Sequence, residues 1–537
     1  MKLSKETLND RNTWESAGFH LPRYDREAVR KATYEEPVWI HFGAGNIFRA
    51  FPANVQQNIL DKGKSNKGII VAEGFDYEII EKMYLPNDNL SILVTLKADG
   101  TIEKTVVGSI TEALTVNTEA DEEWNRLKVI FTAPSLQMVS FTITEKGYNL
   151  YGADGIFLDT VSADFAAGPV RPNSYIGKLV SLVYERYQAE QLPIALVSMD
   201  NCSHNGTKLY EAVNAYARAW ESNKLVKEGF VEYINNPQSV SFPWSMIDKI
   251  TPRPDDSVRE MLKKVGLEDV EAVITSKNTY IAAFVNAEEP EYLVIENAFP
   301  NGRPNLEEGG IIFADKETVD KVERMKVCTC LNPLHTALAI YGCLLDYTLI
   351  ADEMKDTELK KLVEGIGYKE GLPVVVNPGI INPVDFLDEV LNVRIPNPFM
   401  PDTPQRIATD TSQKLGIRFG ETIKAYQVST TLKVSDLKLI PLVLAGWCRY
   451  LLAVDDNGDE FTPSSDPLLE SSRAYLADVK LGSKLNLHEK LQPILSNDKI
   501  FGVDLYEAGL SDKVEGYFAE LIAGPGAVRR TLRKYTS

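Results

Sequence analysis

A lysine, an asparagine and a histidine fall just before and at the start of an apolar helical run. They are Lys326, Asn332 and His335, in the segment Glu323-Arg324-Met325-Lys326-Val327-Cys328-Thr329-Cys330-Leu331-Asn332-Pro333-Leu334-His335. Together these side chains have the equipment to oxidise an alcohol without a metal. A lysine that loses its charge on burial acts as a general base, and an amide and an imidazole hold the substrate oxygen. Asn332 followed by Pro333 reads as a helix N-cap with proline at the first helical position. Cys328, Cys330 and His335 make a poor metal set, because zinc sites usually use C-x₂₋₄-C spacing. The cysteines are expected to be small apolar filler, and no metal is expected.

Such a base needs a hydride acceptor, and the N-terminal half supplies a place for one. Pro37-Val38-Trp39-Ile40-His41-Phe42-Gly43-Ala44-Gly45-Asn46-Ile47-Phe48 reads as a buried strand, a glycine turn and a helix. Glycines there let the backbone approach a pyrophosphate, although Phe48 stands where a third glycine is usual. A second strand, Gly68 to Glu73, ends in an acid, with Asp76 close behind. An acid at that place accepts hydrogen bonds from an adenosine ribose and repels a 2′-phosphate, which favours NAD over NADP. Between Glu73 and Asp76 the sequence does not choose.

Further strand-length runs at Leu90 to Leu96, Met138 to Thr144 and Ile194 to Ser198 alternate with amphipathic stretches at Ile176 to Tyr187 and Leu209 to Trp220. That alternation predicts a mostly parallel sheet. From Lys326 onward the long apolar-periodic stretches read as helices: Leu334 to Leu349, Lys360 to Ile366, Val384 to Val390, Asp436 to Ala453 and Val514 to Leu521. The expected fold is therefore α/β, a Rossmann-like doubly wound domain over residues 1–310 with an N-terminal extension, then a mostly α-helical substrate domain over 311–537. Turn-rich punctuation near Asn301-Gly302-Arg303-Pro304 marks the change.

The formal net charge of −19, with scattered basic residues, opposes nucleic acid and anionic membrane surfaces as partners. No stretch approaches the roughly 20 apolar residues of a membrane span, and the polar N-terminus has no signal-peptide core. Five cysteines without paired spacing suit free thiols. The chain reads as cytoplasmic, a monomer or small homo-oligomer acting on a small molecule.

Combined, the motifs resemble the long-chain, polyol-specific mannitol dehydrogenase family, which also contains fructuronate (mannonate) and tagaturonate (altronate) reductases. The resemblance rests on His41-Phe42-Gly43-Ala44-Gly45 with Arg49-Ala50, Thr142-x-Thr144-Glu145-x-Gly147-Tyr148, and Ser198-x-Asp200-Asn201 with Asn205-Gly206. It continues through Asp248-x-Ile250-Thr251-Pro252, Glu323-x-x-Lys326, Asn332-x-x-His335, Asn397-Pro398 and Asp410-x-Ser412-Gln413-Lys414. It implies an NAD-linked interconversion of a secondary alcohol and a ketose-type carbonyl in a cleft between the two domains. By the same resemblance Lys326 is the general acid/base, and Asn205 and Asn332 donate to the developing alkoxide. His335 and Asp248 position the sugar, and Glu323 moves the proton to solvent. The cofactor contacts implied are Gly43, Ala44, Gly45, Asn46, Phe48, Arg49, Asp200 and Asn201, with Glu73 or Asp76 at the ribose.

One spacing departs from the family pattern, which has four residues between the lysine and the asparagine; here Val327 to Leu331 makes five. A turn or bulge must absorb the extra residue if the constellation is to hold, and Lys321 is the next candidate base if it does not. A sugar acid needs a cationic partner for its carboxylate. Arg394, Arg406, Lys414 and Arg418 lie in the right region, with Arg394, Arg406 and Lys414 as the candidate substrate contacts. The stretch Asn397 to Arg406 resembles the fructuronate reductases more than the mannitol dehydrogenases, so fructuronate reduction to mannonate is the leading expectation. Mannitol 2-dehydrogenation or tagaturonate reduction follows it, and a catalytically silent NAD-binding sensor or scaffold is the alternative of another class.

Overall fold

Trp39–Phe42 (β1), Ile69–Glu73 (β2), Ile110–Thr115 (β3), Met138–Phe141 (β4), Ile194–Ser198 (β5) and Val240–Ser241 (β6) form one sheet in the order β3-β2-β1-β4-β5-β6. Every pairing in it is parallel. In β1 and β2 side chains on both faces are buried, as a parallel sheet covered on two sides requires. Ile40 and Phe42 pack with the helices Asp121–Thr132, Tyr175–Gln188 and Asn205–Ser222 on one face. Trp39, Ile69 and Val71 pack with Pro52–Asp61 on the other, so the period of two along β1 and β2 divides the two cores. The order reverses direction between β1 and β4, the switch point at which a doubly wound sheet binds its ligand.

The computed structural model describes residues 1–152, 154–254 and 256–537. The chain divides into two compact units, Met1–Leu96 with Thr101–Asp320 as unit 1, and Lys97–Gly100 with Lys321–Ser537 as unit 2.

Ser91–Leu96, expected among the parallel strands, lies outside that sheet. It pairs antiparallel with Ile102–Val107 and parallel with Phe284–Glu288 in a separate four-stranded sheet. The N-terminal extension joins this second sheet through Phe19–His20. Ser245–Asp248 (β7) belongs to a third sheet with Tyr292–Glu296 and Ile312–Ala314.

Unit 2 is helical among its described residues. Lys316–Met325 (α1) carries the last residues of unit 1 and the first of unit 2; a π-helical turn, Lys326–Cys330, leads on to Asn332–Leu344 (α2). Tyr341 of α2 donates its hydroxyl to the Leu442 carbonyl at 2.7 Å, and its ring lies against Gly446 of Leu439–Tyr450 (α3). Any side chain at Gly446 would meet that ring, so the glycine sets how closely α2 and α3 approach. The run Lys316–Leu344 is 29 residues long and contains an 18-residue window with a mean hydropathy of 1.3, enough to cross a bilayer by length and composition, yet that window is 83% buried inside the protein. It is a core helix.

Candidate active site

The loop after β1 is shaped for a phosphate-bearing group. Gly43 has φ +104, and a Cβ there would stand 2.3 Å from the Thr142 carbonyl oxygen, so only glycine fits. Around a Cβ placed at Gly45 there is nothing within 4 Å, which leaves open space beside the loop backbone. Ala44 is held from two sides: its amide donates to Glu73 Oε2 at 2.8 Å and its carbonyl accepts from the Tyr84 hydroxyl at 2.9 Å. Asn46 begins the helix that follows and is partly exposed. This cradle fits the pyrophosphate of a dinucleotide.

Several residues expected to touch the cofactor are used differently. Phe48 is fully buried and stacks on His41 at 4.4 Å between ring centroids. Arg49 is buried too, donating to Ser91 Oγ at 3.0 Å and the Ala282 carbonyl at 2.8 Å, so its guanidinium braces the second sheet. Glu73 accepts the amides of Ala44, Phe75 and Asp76. Burial raises the pKa of its carboxyl above the usual value, against the lowering effect of those amides. Asp76 is buried and accepts from the Thr275 hydroxyl at 2.6 Å. Both acids therefore stand at the end of β2, engaged in holding loops. His41 bridges Ser140 Oγ at 2.6 Å and Thr142 Oγ1 at 2.7 Å, and burial lowers its pKa to about 3, so it is neutral.

At the ends of β4 and β5 the chain builds a polar clamp. Asp200 accepts from the amides of Ile143 and Thr144 and from the Tyr148 hydroxyl, fixing the β4 loop, where Thr144 sits at φ +64. Asn205 is fully buried; its Nδ2 donates to the Ser198, Asp200 and Ser245 carbonyls and to Ser245 Oγ, while Oδ1 accepts from the Ser245 amide. An amide so engaged cannot also donate to an alkoxide, so Asn205 is a latch between β5 and β7. Asn201, on the same loop, is exposed, and its side chain makes no hydrogen bond among the described residues. Asp248 closes β7 and is buried.

Unit 2 carries the lysine, asparagine and histidine on one helical run. Lys326 is buried and opens the π turn, in which the Leu331 amide reaches back to the Lys326 carbonyl at 3.1 Å. An i→i+5 turn holds one more residue than an α-helical turn. The extra residue between Lys326 and Asn332 is absorbed there, and the helix beyond continues as though five positions, not six, separated the two. Asn332 is not the cap that its proline suggests: Leu331 holds the cap position and Asn332 is the first helical residue. Its partly buried side-chain amide makes no hydrogen bond among the described residues. Glu323 lies three residues before Lys326 on α1, partly exposed. Cys328 and Cys330 are buried, and burial pushes their thiols up to about 11 and about 12.

His335 stands among cations. Burial lowers its pKa to about 4, Asp402 opposes that, and Arg394, Arg418 and Arg406 add to it. Its Nε2 is 4.0 Å from Asp402, whose other oxygen pairs with Arg406. Lys414 donates to the Thr409 carbonyl, and Arg394 is buried in the π turn Val390–Arg394. Sequence reasoning passed over Tyr84, Thr275 and Thr336 as working residues. Each acts through a partner far along the chain, a relation that no local pattern carries.

Residues 38–308 match the model of the mannitol dehydrogenase Rossmann domain, and residues 318–521 that of the mannitol dehydrogenase C-terminal domain. The chain belongs to the mannitol dehydrogenase family. Within that family it is 54% identical over 536 residues to the D-mannonate oxidoreductase of Thermotoga maritima, covering 99% of both chains. A substrate-free D-sorbitol dehydrogenase shares its fold with a TM-score of 0.80 at 25% identity, covering 99% of this chain and 100% of the other. Pseudomonas fluorescens mannitol 2-dehydrogenase, solved with NAD and D-mannitol, shares the fold with a TM-score of 0.69 at 24% identity, covering 99% of each chain.

Proposed function

We propose that this member of the mannitol dehydrogenase family is an NAD-linked oxidoreductase that interconverts D-fructuronate and D-mannonate, with Lys326 as the general acid/base. The observation that carries the reading is the set of guanidinium groups about His335, where Arg394, Arg418 and Arg406 all act on the imidazole beside Asp402. A guanidinium grips a carboxylate by two parallel hydrogen bonds, which suits a sugar acid better than a neutral polyol. The name of the Thermotoga maritima relative points the same way.

Held at the Gly43–Gly45 loop, NAD would supply the hydride acceptor for the alcohol carbon and NADH the hydride donor for the carbonyl. In the reducing direction Lys326 Nζ gives its proton to the carbonyl oxygen as that oxygen becomes a hydroxyl; in the oxidising direction it takes the proton back. Lysine suits this role because its amine both gives and takes a proton at the substrate oxygen. The Asn332 amide and neutral His335 hold the oxygen where charge develops. Within unit 1, Asn205 holds the loop that carries the exposed Asn201. Glu323, one turn before Lys326 on the same helical face, relays the proton to solvent. The cradle of Gly43, Ala44 and Gly45 holds the pyrophosphate, and Glu73 fixes that loop through the Ala44 amide.

The test follows NADH absorbance at about 340 nm, near its nicotinamide maximum, with fructuronate, tagaturonate and fructose in parallel, chelator present, for wild type and Lys326→Ala. Preference for fructuronate with a loss on the order of 10² or more in the variant is the expected result. Preference for fructose moves the substrate to a neutral ketose, and inactivity on all three despite NADH binding defeats the reading.

A further inference from the structure

The cations around His335 differ in what they already hold. Arg406 is paired with Asp402, and Lys414 donates to a backbone carbonyl. Arg418, on the π turn Gly416–Gly420, is partly buried, and its one side-chain hydrogen bond runs from Nη1 to the Thr336 hydroxyl. No carboxylate among the described residues pairs with it. A buried guanidinium is normally matched by an anion, because removing its charge from water costs several kcal/mol in the absence of a partner. Arg418 shows that cost: burial alone pulls its pKa down to about 10. Thr336 is the residue after His335 on α2, so the hydroxyl that orients Arg418 is fixed to the helix that carries the imidazole. Arg418 is also among the groups whose charge reaches His335.

From this we infer that Arg418 is the residue that selects a sugar acid, its guanidinium taking the substrate carboxylate while Thr336 holds the fork in orientation. Arg406 already has Asp402 as its partner, and Lys414 the Thr409 carbonyl. The assignment rests on the sugar-acid reading above and adds to it which cation meets the acid. A planar fork with five donors, one of them on Thr336, keeps enough free to grip a carboxylate through two parallel hydrogen bonds. A lysine in its place would keep the charge and lose the two-point grip.

The experiment titrates D-mannonate and D-mannitol into the enzyme saturated with NAD, for wild type, Arg418→Met and Arg418→Lys, with melting temperature and NADH binding measured on each protein. Arg418→Met is expected to weaken mannonate on the order of 10²-fold and to change mannitol by less than about threefold, with Arg418→Lys between. Mannonate and mannitol weakened alike, or mannonate held unchanged by Arg418→Met, overturns the assignment and leaves the sugar-acid reading standing. Failure of the wild type to bind mannonate removes that reading and the assignment with it. If Arg418→Met does not fold, Arg418→Lys decides: loss of mannonate affinity alone supports the assignment, and an even loss or none overturns it.

Discussion

Asn201 and Asn205 share a loop, a side chain and an association with the family pattern, and the fold uses them in opposite ways. Asn205 closes hydrogen bonds to Ser198, Asp200 and Ser245, while Asn201 makes none among the described residues. Residue type and spacing single out both asparagines; the count of satisfied donors decides which amide remains available to a ligand. His335 is read by the same reasoning. The folded pKa of about 4 lies below the ordinary 6.5, because burial and the charges of Arg394, Arg418 and Arg406 outweigh Asp402. Between those two values the unfolded chain binds a proton that the native chain does not, so stability rises with pH across that window. The contribution is fully present above about 6.5 and gone below about 4, and its size is on the order of 3 kcal/mol. Urea unfolding of wild type and His335→Asn at pH 4.5 and pH 7 measures it: the wild type should lose more stability toward acid than the variant. His41 titrates identically in both proteins and cancels, and equal acid losses would show that His335 is charged in the folded state.

The π turn at Lys326–Cys330 decides, at the level of one element, whether the lysine and asparagine belong to one site. No residue type in Lys-Val-Cys-Thr-Cys announces it, and the sequence shows only a spacing one residue too long. Deleting Val327, the partly exposed residue of the turn, should convert it to a plain α-helical turn and keep the register of Asn332 and His335. Far-ultraviolet circular dichroism and melting should stay near wild type, and NADH-dependent turnover should remain within about tenfold. A loss beyond about 10²-fold in a protein that still folds would mean that the widened turn itself places Lys326. Elements whose signal is local were legible in advance: β1 with its glycine turn, β2, β4, β5, and the helices Tyr175–Gln188, Asn205–Ser222, Asn332–Leu344 and Leu439–Tyr450. β3 was not, because Ile110–Thr115 is an edge strand that mixes Thr and Glu with its apolar residues. Nor was the fate of Ser91–Leu96, since its apolar pattern fits any buried strand and its partner Phe284–Glu288 lies far along the chain. Arg49 fits the motif by position, yet it is buried against Ser91 and Ala282, partners that only the folded chain supplies.

Across the molecule the proposed roles divide between the two units, the dinucleotide cradle falling in unit 1 and Lys326 with Asn332 and His335 in unit 2. That division makes cofactor binding separable from catalysis. NADH at about 100 times its Kd should stabilise the fold that binds it by about 2.7 kcal/mol. The gain should appear as slowed hydrogen exchange in unit 1, at the Gly43–Gly45 loop and at the Ile143–Tyr148 loop that Asp200 clamps, because those backbones close the switch point of the sheet. Gly43→Ala is the matching control. Its Cβ would strike the Thr142 carbonyl and its φ is unfavourable for alanine, so this variant should lose the NADH-dependent protection, while Lys326→Ala keeps it and loses turnover. Protection that survives Gly43→Ala would place the cofactor elsewhere on the chain. Protection lost in Lys326→Ala would mean that the lysine takes part in holding the cofactor, and the separation of roles between the units would fall.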